Sequence, residues 1–467
     1  MRLITRDRSF YRSLFSLALP IVLQNFISFA VNFADNLMVG RLGDTAVSAV
    51  YMGNQFQTVL QMFVFGIDAA MLIIAAQYWG IKDTKSIRRI SAMGIRWSVL
   101  VGAVIAAAVL AFPRFFLSRL TSDAGVVEEA VPYVVFVALS YVFFCASQLL
   151  ISSMKSVENA RLGFYVSLIA LFVNIFLNWL LIFGMFGFPA LGVKGAAIAT
   201  LISRIVEFLI AAVYVFAIDK RLGLKPKHLF LKAPSLRRDF IRNGAPVVAG
   251  QMVWAVNMIA YSTIMGHLSP AAVTASSIVG QMENLLRVGV FGLSAALGIV
   301  TSKTVGAGKF KEMREYATTA ELIFLGIGLL SSLVIVLLKR PFVGLYDISP
   351  EAADMSAQFF RVLTFTFIGT CWQATCLGGL VKSGGDTGFV FKMDSVFVFG
   401  VLIPAGILTL VLGAPAWAVF LALKCDQILK CIVAFVKINS FNWMKKLTRE
   451  NADAEPNQEP NKKNLIK

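Results

Sequence analysis

Runs of roughly twenty apolar residues recur along most of this chain, and each run is long enough to cross a lipid bilayer. Hydrophobic residues make up 58% of the 467 residues and charged residues 15%, whereas about 25% of a soluble protein is charged. A backbone inside a bilayer must satisfy its hydrogen bonds internally, which favours helices for such runs. The sequence therefore predicts an all-α polytopic membrane protein.

An internal repeat divides the chain into two halves, because residues 20–88 reappear at residues 246–314 with a constant offset of 226 and no gap. The identical pairs are spread along the whole segment: Pro20 and Pro246, Gly40 and Gly266, Gly66 and Gly292, Gly80 and Gly306, Arg88 and Arg314. Each copy starts a group of six predicted helices, and an even number gives both copies the same orientation. The halves are then expected to be related by a pseudo-two-fold axis along the membrane normal, with a cleft between them.

The apolar runs predict twelve spanning helices, at 14–40, 48–79, 93–117, 131–152, 164–184, 190–217, 242–266, 280–305, 317–341, 357–381, 389–412 and 415–438. They divide the chain into an N-terminal lobe (1–217), a basic cytoplasmic linker (218–241), a C-terminal lobe (242–440) and a polar cytoplasmic tail (441–467). We therefore expect two pseudo-symmetric six-helix bundles.

The net charge of +17 raises the question of a nucleic-acid partner, and the position of the charge excludes one. Basic residues concentrate in every second loop, at 80–92, 218–242 and 303–315, which is the pattern of cytoplasmic loops in membrane proteins. We expect a multi-pass protein of the cell membrane with both termini in the cytoplasm. The charge of the linker has two interpretations, binding to the headgroups of membrane lipids or a solvated connector.

The sequence offers little for catalysis or for a bound cofactor. The five cysteines lie inside predicted spans and fit no zinc motif, so they are expected to pack as small apolar residues. The sequence has two histidines, His228 and His267, and no Asp-rich diphosphate motif, His-Glu-x-x-His or Gly-x-Ser-x-Gly. We expect neither an enzyme nor a cofactor.

Asp35 is the strongest functional candidate, because a charged side chain at mid-membrane costs about 2.5–3.5 kcal/mol on insertion scales. It shares one face of the first helix with Asn25, Ser28, Asn32 and Asn36. Such a face must line the bundle interior or a wet cavity. Asp35 either binds a cation or proton or is paired structurally within its lobe, and the lack of a nearby basic residue in the first helix favours the first interpretation.

Polar residues in the fifth and sixth helices supply possible partners for Asp35. Asn174 and Asn178 are four residues apart and lie on one face, and Thr200 lies in the next helix. Their amide and hydroxyl oxygens can coordinate Na⁺ or hydrogen-bond to a protonated acid. Polar residues also hold membrane helices together, so these three residues alone leave both interpretations open.

Other polar positions are candidates for a cavity that binds a substrate. Asp68 shares a face of the second helix with Gln57 and Gln61 and is a second ionisable candidate, whereas the seventh helix has polar residues and no acid. The candidate cavity residues are Asn32, Gln55, Gln61, Asp68, Gln251, Trp254, Asn257, Tyr261 and Gln281. We therefore expect ion coupling in the N-terminal lobe and an aromatic, polar substrate surface in the C-terminal lobe.

Three further sets of charges are expected to be structural. Glu283 and Arg287 in the eighth helix, and likewise Asp426 and Lys430 in the twelfth, stand four residues apart and are expected to pair. Asp394 lies near the predicted cytoplasmic end of the eleventh helix and is expected to join an ion pair that closes the lobes.

Short motifs in a fixed order resemble the MATE family, the multidrug and toxic compound extrusion transporters, over about residues 10–445. The motifs are Leu19-Pro20, Asp35 with Met38-Val39-Gly40-Arg41-Leu42-Gly43, Ala76-Gln77-Tyr78-Trp79-Gly80, Asn174 with Asn178 and Gly184, Gly195-Ala196-Ala197-Ile198-Ala199-Thr200, Gly306-Ala307-Gly308 and Ser383-Gly384-Gly385-Asp386-Thr387.

The resemblance implies a V-shaped pair of bundles that exports small organic, often cationic, compounds in exchange for H⁺ or Na⁺. It implies that Asp35 is the coupling residue, with Asn174, Asn178 and Thr200 as partners, and as metal ligands where Na⁺ is the ion. Some members have acids in the seventh and tenth helices. Here Trp254 stands at the former position and the tenth has none, which argues against an ion site in the C-terminal lobe.

A lipid-linked saccharide flippase, which shares the bundle plan, is the alternative function. A flippase cavity needs cations to hold pyrophosphate, and the deep positions of helices 1, 2, 7 and 8 have few basic residues. We expect multidrug efflux by a single copy of the chain, with H⁺ and Na⁺ both open as the coupling ion.

Overall fold

Twelve long helical segments make up most of the chain in a computed structural model that describes residues 4–231, 233–346 and 348–449. The first six are α1 (Arg8–Gly40), α2 (Asp44–Gly80), α3 (Thr84–Ala111), α4 (Ala124–Ser156), α5 (Arg161–Phe183) and α6 (Gly192–Ile218). The next five are α7 (Pro234–Gly266), α8 (Pro270–Gly306), α9 (Phe310–Val343), α10 (Pro350–Gln373, extended by a π-helix at Ala374–Lys382) and α11 (Thr387–Val411). The last, α12, has two pieces, Ala416–Ala422 and Asp426–Asn439.

Within the described ranges the chain has no β-strand, and ten helices are long and apolar enough to cross a membrane. Short helices at Pro113–Ser118, Met185–Gly187 and Pro226–Phe230 lie in the connections. The predicted all-α membrane fold is therefore confirmed.

Several helices begin earlier than their apolar runs predict. α3 begins at Thr84 rather than 93, because the Asp83 carboxylate caps its first turn by accepting from the backbone N–H of Ser86 at 3.1 Å. α8 begins at Pro270 rather than 280, where Ser269 caps the backbone N–H of Ala272 at 3.1 Å. α7 begins at Pro234, inside the predicted linker. Hydropathy detects only the part of each helix that faces apolar surroundings.

The two lobes exchange the first halves of their first helices. Phe10, Leu14 and Ile21 of α1 belong to the hydrophobic core that is otherwise built mainly from α7 to α12. Phe240 and Val247 of α7 belong in the same way to the core built from α2 to α6. Each lobe therefore anchors one helix of the other, as the pseudo-two-fold repeat requires.

The seam between the lobes is built from reciprocal contacts of repeat-related residues. A Cβ on Gly66 of α2 would lie 2.8 Å from the Cα of Val248 on α7, and a Cβ on Gly292 of α8 would lie 3.0 Å from the Cα of Val22 on α1. Gly66 matches Gly292, and Val22 matches Val248, at the offset of 226. The two contacts are therefore images of each other across the pseudo-two-fold axis.

The closest approach in the seam is between two further repeat-related glycines. A Cβ on Gly80 would lie 2.2 Å from the carbonyl oxygen of Lys303, and a Cβ on Gly306 would lie 2.1 Å from the carbonyl oxygen of Gln77. Real Cβ atoms do not approach other atoms so closely, so only glycine lets the ends of α2 and α8 meet. This contact gives a structural reason for the glycines that end the two repeated motifs.

The seam lies on the side of the bundle that carries both described chain ends, which we call the terminal side. Beyond it, Phe33 and Leu37 on α1 and Met258 and Ile259 on α7 are exposed. The lobes therefore diverge towards the opposite, open side, and the predicted V shape is confirmed.

Residues 441–449 lie across the terminal side and contact both lobes. Trp443 is fully buried, and Gln77 of α2 donates to the carbonyl oxygen of Lys445 at 3.2 Å and accepts from the backbone N–H of Leu447 at 2.8 Å. Arg449 binds Asp239 through two hydrogen bonds of 2.6 and 2.8 Å. The rest of the predicted tail, residues 450–467, lies outside the described residues.

Candidate functional site

Three of the four predicted coupling residues come together between α1 and α5. The Asn178 side-chain N–H donates to the Asp35 carboxylate at 2.5 Å and to the amide oxygen of Asn174 at 3.2 Å. Both asparagines are almost fully buried, and Asp35 is half-buried. The amide oxygen of Asn178 is buried and accepts no hydrogen bond within the part of the chain that the structure describes. A carboxylate and an unpaired amide oxygen thus lie close together between α1 and α5, at a site that we call the Asp35 pocket.

The end of α5 is fixed by close backbone packing against α6. Gly184 ends α5 in the left-handed region, with φ 71°, where glycine is favoured. A Cβ on Gly195 would lie 2.5 Å from the carbonyl oxygen of Leu181, so the small residues that open α6 let it lie directly on α5. This packing holds the turn of α5 that carries Asn178 in place.

Thr200, the fourth predicted residue, lies half-buried on α6 and makes none of these bonds. Arg204, one turn beyond Thr200 on α6, pairs with Glu207 at 2.6 Å and lies 4.9 Å from the ring centre of Phe144. Among the described residues, Asp35 forms no ion pair.

One neighbouring pair was missed by the sequence analysis. Tyr133 of α4 donates its hydroxyl to the Asn54 side chain of α2 at 2.9 Å, and the ring packs against Gly53. No spacing within the sequence connects these residues, because they lie on helices about eighty positions apart.

A cavity of about 700 Å³, with both apolar and charged lining residues, lies in the C-terminal lobe beside α2. Five predicted cavity residues line it: Asp68, Trp254, Asn257, Tyr261 and Gln281. The other four do not, because Asn32 is exposed on α1, while Gln55, Gln61 and Gln251 are half-buried elsewhere on α2 and α7.

One side of this cavity carries an ionic cluster around Glu283. The carboxylate lies 3.6 Å from Arg287, as the spacing predicts, but its closer partner is Lys424 at 2.7 Å. Lys424 lies in the break between the two pieces of α12 and also stands 5.7 Å from the ring centre of Tyr261. One buried carboxylate is therefore shared by two cations.

A second ionic cluster forms around Lys430 of α12. Its amino group lies 3.2 Å from Asp426, the predicted partner, and 3.0 Å from Asp394 of α11. The expectation that Asp394 helps close the lobes is wrong, because its partner is inside its own lobe. Lys382 of α10 also lines the cavity.

The C-terminal lobe is therefore more highly charged than the sequence analysis predicts. Seven of its ionisable residues line the cavity: Glu283, Arg287, Lys382, Asp394, Lys424, Asp426 and Lys430. They come from four different helices, so no single helical face reveals them. The available signal was the presence of seven charges within otherwise apolar runs.

The lobes are also joined on the terminal side by an ion pair. Lys303 of α8 lies 2.8 Å from Glu158, in the connection between α4 and α5. The other carboxylate oxygen of Glu158 accepts from the indole N–H of Trp79 at 3.1 Å. This pair lies next to the Gly80–Gly306 contact and closes the same end of the cleft.

A family model described as MatE matches residues 20–180 and 246–412. The chain belongs to the MatE family. The two matches of this family model start at the first residues of the two internal repeats, 20 and 246.

Named relatives extend the MatE match over most of the chain. The multidrug resistance protein MdtK of Photorhabdus laumondii is 24% identical over 401 residues, which cover 85% of this chain and 86% of that protein. The probable multidrug resistance protein NorM of Bacillus subtilis is 24% identical over 403 residues, covering 85% and 87%. The resemblance inferred from short motifs is therefore confirmed.

Solved transporter structures share the fold. The MATE transporter VcmN of Vibrio cholerae superposes with a TM-score of 0.83 at 17% identity, covering 93% of this chain and 97% of that one. A MOP superfamily transporter from Pyrococcus furiosus gives a TM-score of 0.84 at 16% identity, covering 94% and 99%. The MatE fold thus accounts for both six-helix lobes.

Proposed function

We propose that this chain is a secondary active multidrug efflux antiporter, which exports small organic compounds while H⁺ or Na⁺ moves inwards. Membership of the MatE family and relatives named as multidrug resistance proteins support this function. Two separate polar sites, one in each lobe, support an exchange of two different solutes.

The observation that carries the proposal is the Asp35 pocket. A carboxylate that is half-buried within a membrane helix, held by one amide N–H and free of ion pairs among the described residues, is costly unless a positive ion binds it. The unpaired amide oxygen of Asn178 supplies a second hard ligand for Na⁺ or an acceptor for a proton carried by Asp35. Asn174 orients Asn178 through the hydrogen bond between them. This donor set fits either ion as cargo.

The substrate site is proposed to be the cavity of the C-terminal lobe. Trp254 and Tyr261 offer aromatic faces, which hold flat organic molecules and cations. The cavity contains both acids, such as Glu283 and Asp394, and cations, such as Lys424. It can therefore bind substrate groups of either charge. The lining then selects substrates for aromatic and charged groups rather than for one particular shape.

The orientation follows from where the basic loops lie. The predicted basic segments 80–92 and 303–315 border the seam on the terminal side, and this supports a cytoplasmic location for that side and for both termini. The open side then faces out of the cell membrane. We further propose that a single copy of the chain carries both lobes of the transporter, with residues 218–241 in the connection between them.

Coupling requires that the ion binds one arrangement of the lobes better than the other. Asp35 lies on the half of α1 that extends beyond the seam, so an ion bound there acts on the part of α1 that borders the cleft. Neutralising Asp35 changes how α1 packs against α5, and this change is proposed to favour release of the substrate outwards and return to the inward-facing state.

The test uses purified chain in proteoliposomes, with Na⁺ and H⁺ gradients imposed separately and efflux of a fluorescent cationic dye as the readout. Asp35→Asn is expected to abolish gradient-driven efflux while dye binding and thermal stability stay close to wild type. Asp44→Asn, which removes an exposed carboxylate on the first turn of α2, is the matched control and is expected to transport normally. Wild-type efflux from Asp35→Asn under both gradients would refute the coupling role.

A further inference from the structure

A groove with four arginines lies between α3 and α7 on the terminal side, apart from the Asp35 pocket and the cavity of the C-terminal lobe. Its volume is about 1070 Å³. Arg96 lines it from α3, and Arg237, Arg238 and Arg242 line it from the first turns of α7. All four side chains are exposed. Within residues 4–231, 233–346 and 348–449, none of the four forms an ion pair.

The charge of the groove stays uncompensated because the neighbouring acid is already occupied. Asp239 follows Arg238 in the chain, and both of its carboxylate oxygens accept from Arg449, at 2.6 and 2.8 Å. Arg96 is held at the groove by two backbone carbonyls, that of Ala92 at 3.2 Å and that of Leu231 at 3.1 Å. These bonds leave its positive charge without an anion.

The walls of the groove are apolar. Trp97 and Leu100 of α3 are 37% and 55% exposed, and Ile241 of α7 is 46% exposed. Arg96 and Trp97 lie near the start of the apolar run of α3, and tryptophan with arginine at such a position is typical of the boundary between headgroups and hydrocarbon. The occupant that matches this surface therefore has an anionic head and an apolar tail.

We propose that the groove binds an anionic phospholipid, with its phosphate on the arginines and an acyl chain along Trp97 and Leu100. Guanidinium groups suit phosphate because they offer several N–H donors in one plane, and basic pockets between membrane helices at the cytoplasmic face bind such headgroups. The groove shares no lining residue with the cavity of the C-terminal lobe and does not include Asp35.

The position of the groove gives the lipid a structural effect. The first half of α7 packs into the core of the N-terminal lobe, where Leu236 and Phe240 share one hydrophobic cluster with Ile90 of α3. A lipid in the groove therefore contacts α3 and α7 within that lobe, and it stabilises the packing of α7, the helix that leads into the C-terminal lobe, against α3.

The experiment compares the full chain with two double variants in nanodiscs of phosphatidylcholine that contain rising fractions of phosphatidylglycerol. Native mass spectrometry counts the phosphatidylglycerol retained by each chain. Arg238→Gln with Arg242→Gln is expected to need about thirtyfold more phosphatidylglycerol for half-occupancy. Arg8→Gln with Arg12→Gln removes the same charge from exposed positions of α1 on the same side and is expected to bind as wild type does.

Three results would overturn the proposal. Equal losses in both double variants would mean that retention follows net surface charge rather than the groove. If inorganic phosphate in pure phosphatidylcholine stabilised the wild type against thermal unfolding as much as phosphatidylglycerol does, the ligand would be free phosphate. The third result concerns deletion of residues 450–467, which include Glu450, Asp453, Glu455 and Glu459. If this deletion lowered the thermal stability of the chain as much as the arginine double variant does, and if neither loss of stability depended on lipid, the arginines would be assigned to that segment.

Discussion

The Gly80–Gly306 contact gives a sharp test of how the terminal side closes. In Gly306→Ala the new Cβ would lie 2.1 Å from the carbonyl oxygen and 2.6 Å from the carbonyl carbon of Gln77. These are backbone atoms of a helix, so they cannot turn aside as a flexible side chain would. Overpacking of this kind costs about 1–3 kcal/mol, and the cost applies only while the ends of α2 and α8 are in contact.

A cost confined to one arrangement of the lobes shifts their equilibrium. A penalty of about 1–3 kcal/mol corresponds to a change of about 5–150-fold in the ratio of the two states. Gly306→Ala is therefore expected to reduce the population that is closed on the terminal side and open on the other. Gly80→Ala, whose Cβ would lie 2.2 Å from the carbonyl oxygen of Lys303, is expected to act in the same direction.

The assay measures the distance between spin labels at Thr45→Cys and Thr274→Cys, two exposed positions on the open side of different lobes, in a chain whose five native cysteines are replaced by alanine. Pulsed electron spin resonance reports the distance populations. Gly289→Ala is the matched control, because it lies on the same helix and its Cβ would have no atom within 4 Å; it is expected to leave the distances unchanged. Identical distance populations for Gly306→Ala and Gly289→Ala would refute the reasoning.

Two further predictions concern contacts that hold the terminal side together. Glu158→Gln is expected to destabilise the chain only slightly through loss of the ion pair with Lys303, since these side chains are 24% and 40% exposed. A double-mutant cycle with Lys303→Gln, measured by thermal unfolding, should give a coupling energy of about 0.2–1 kcal/mol that decreases with added salt. A coupling energy that salt leaves unchanged would contradict this view. Asp386→Asn is expected to release residues 441–449. Burial alone would raise the pKa of Asp386, but the hydrogen bonds from Lys437 and Lys445 outweigh burial, so the pKa lies below its ordinary value of 3.8. A lowered pKa stabilises the folded chain at pH values above that ordinary value, and the stabilisation is lost as the pH falls through the folded-state pKa. At neutral pH, trypsin should therefore cut the variant after Lys445 faster than it cuts the wild type. Equal cleavage rates would argue against the contact.

The sequence alone predicts the architecture because two of its signals act locally. Apolar runs mark the spanning part of each helix, and the offset of 226 shows that one plan is used twice. The ends of the helices are harder to predict, since the first turns of α3 and α8 are polar and depend on the caps Asp83 and Ser269. Such caps carry a sequence signal, but hydropathy does not detect it.

The two polar sites differ in how far the sequence reveals them. The spacing of Asn174 and Asn178 places them on one face of α5, and Asp35 is an isolated acid in an apolar run, so the N-terminal pocket follows from helical periodicity. The role of Lys424 does not, because it depends on the break in α12 and on the packing of that break against Glu283. Long-range packing of this kind leaves no pattern within either helix.

The repeat shares its shape between the lobes but not its charges. The seam uses matching glycines and valines on both sides, whereas Asp35 aligns with Tyr261, and Gln57 and Gln61 align with Glu283 and Arg287. The same helical faces therefore carry a lone acid on the first helix of one lobe and an ionic cluster on the second helix of the other. A cation that binds Asp35 has no equivalent site at Tyr261, so its binding energy acts on one lobe only. In the proposed antiporter, the lobes would rock about the symmetric seam, and the unequal chemistry would let an ion gradient favour one direction.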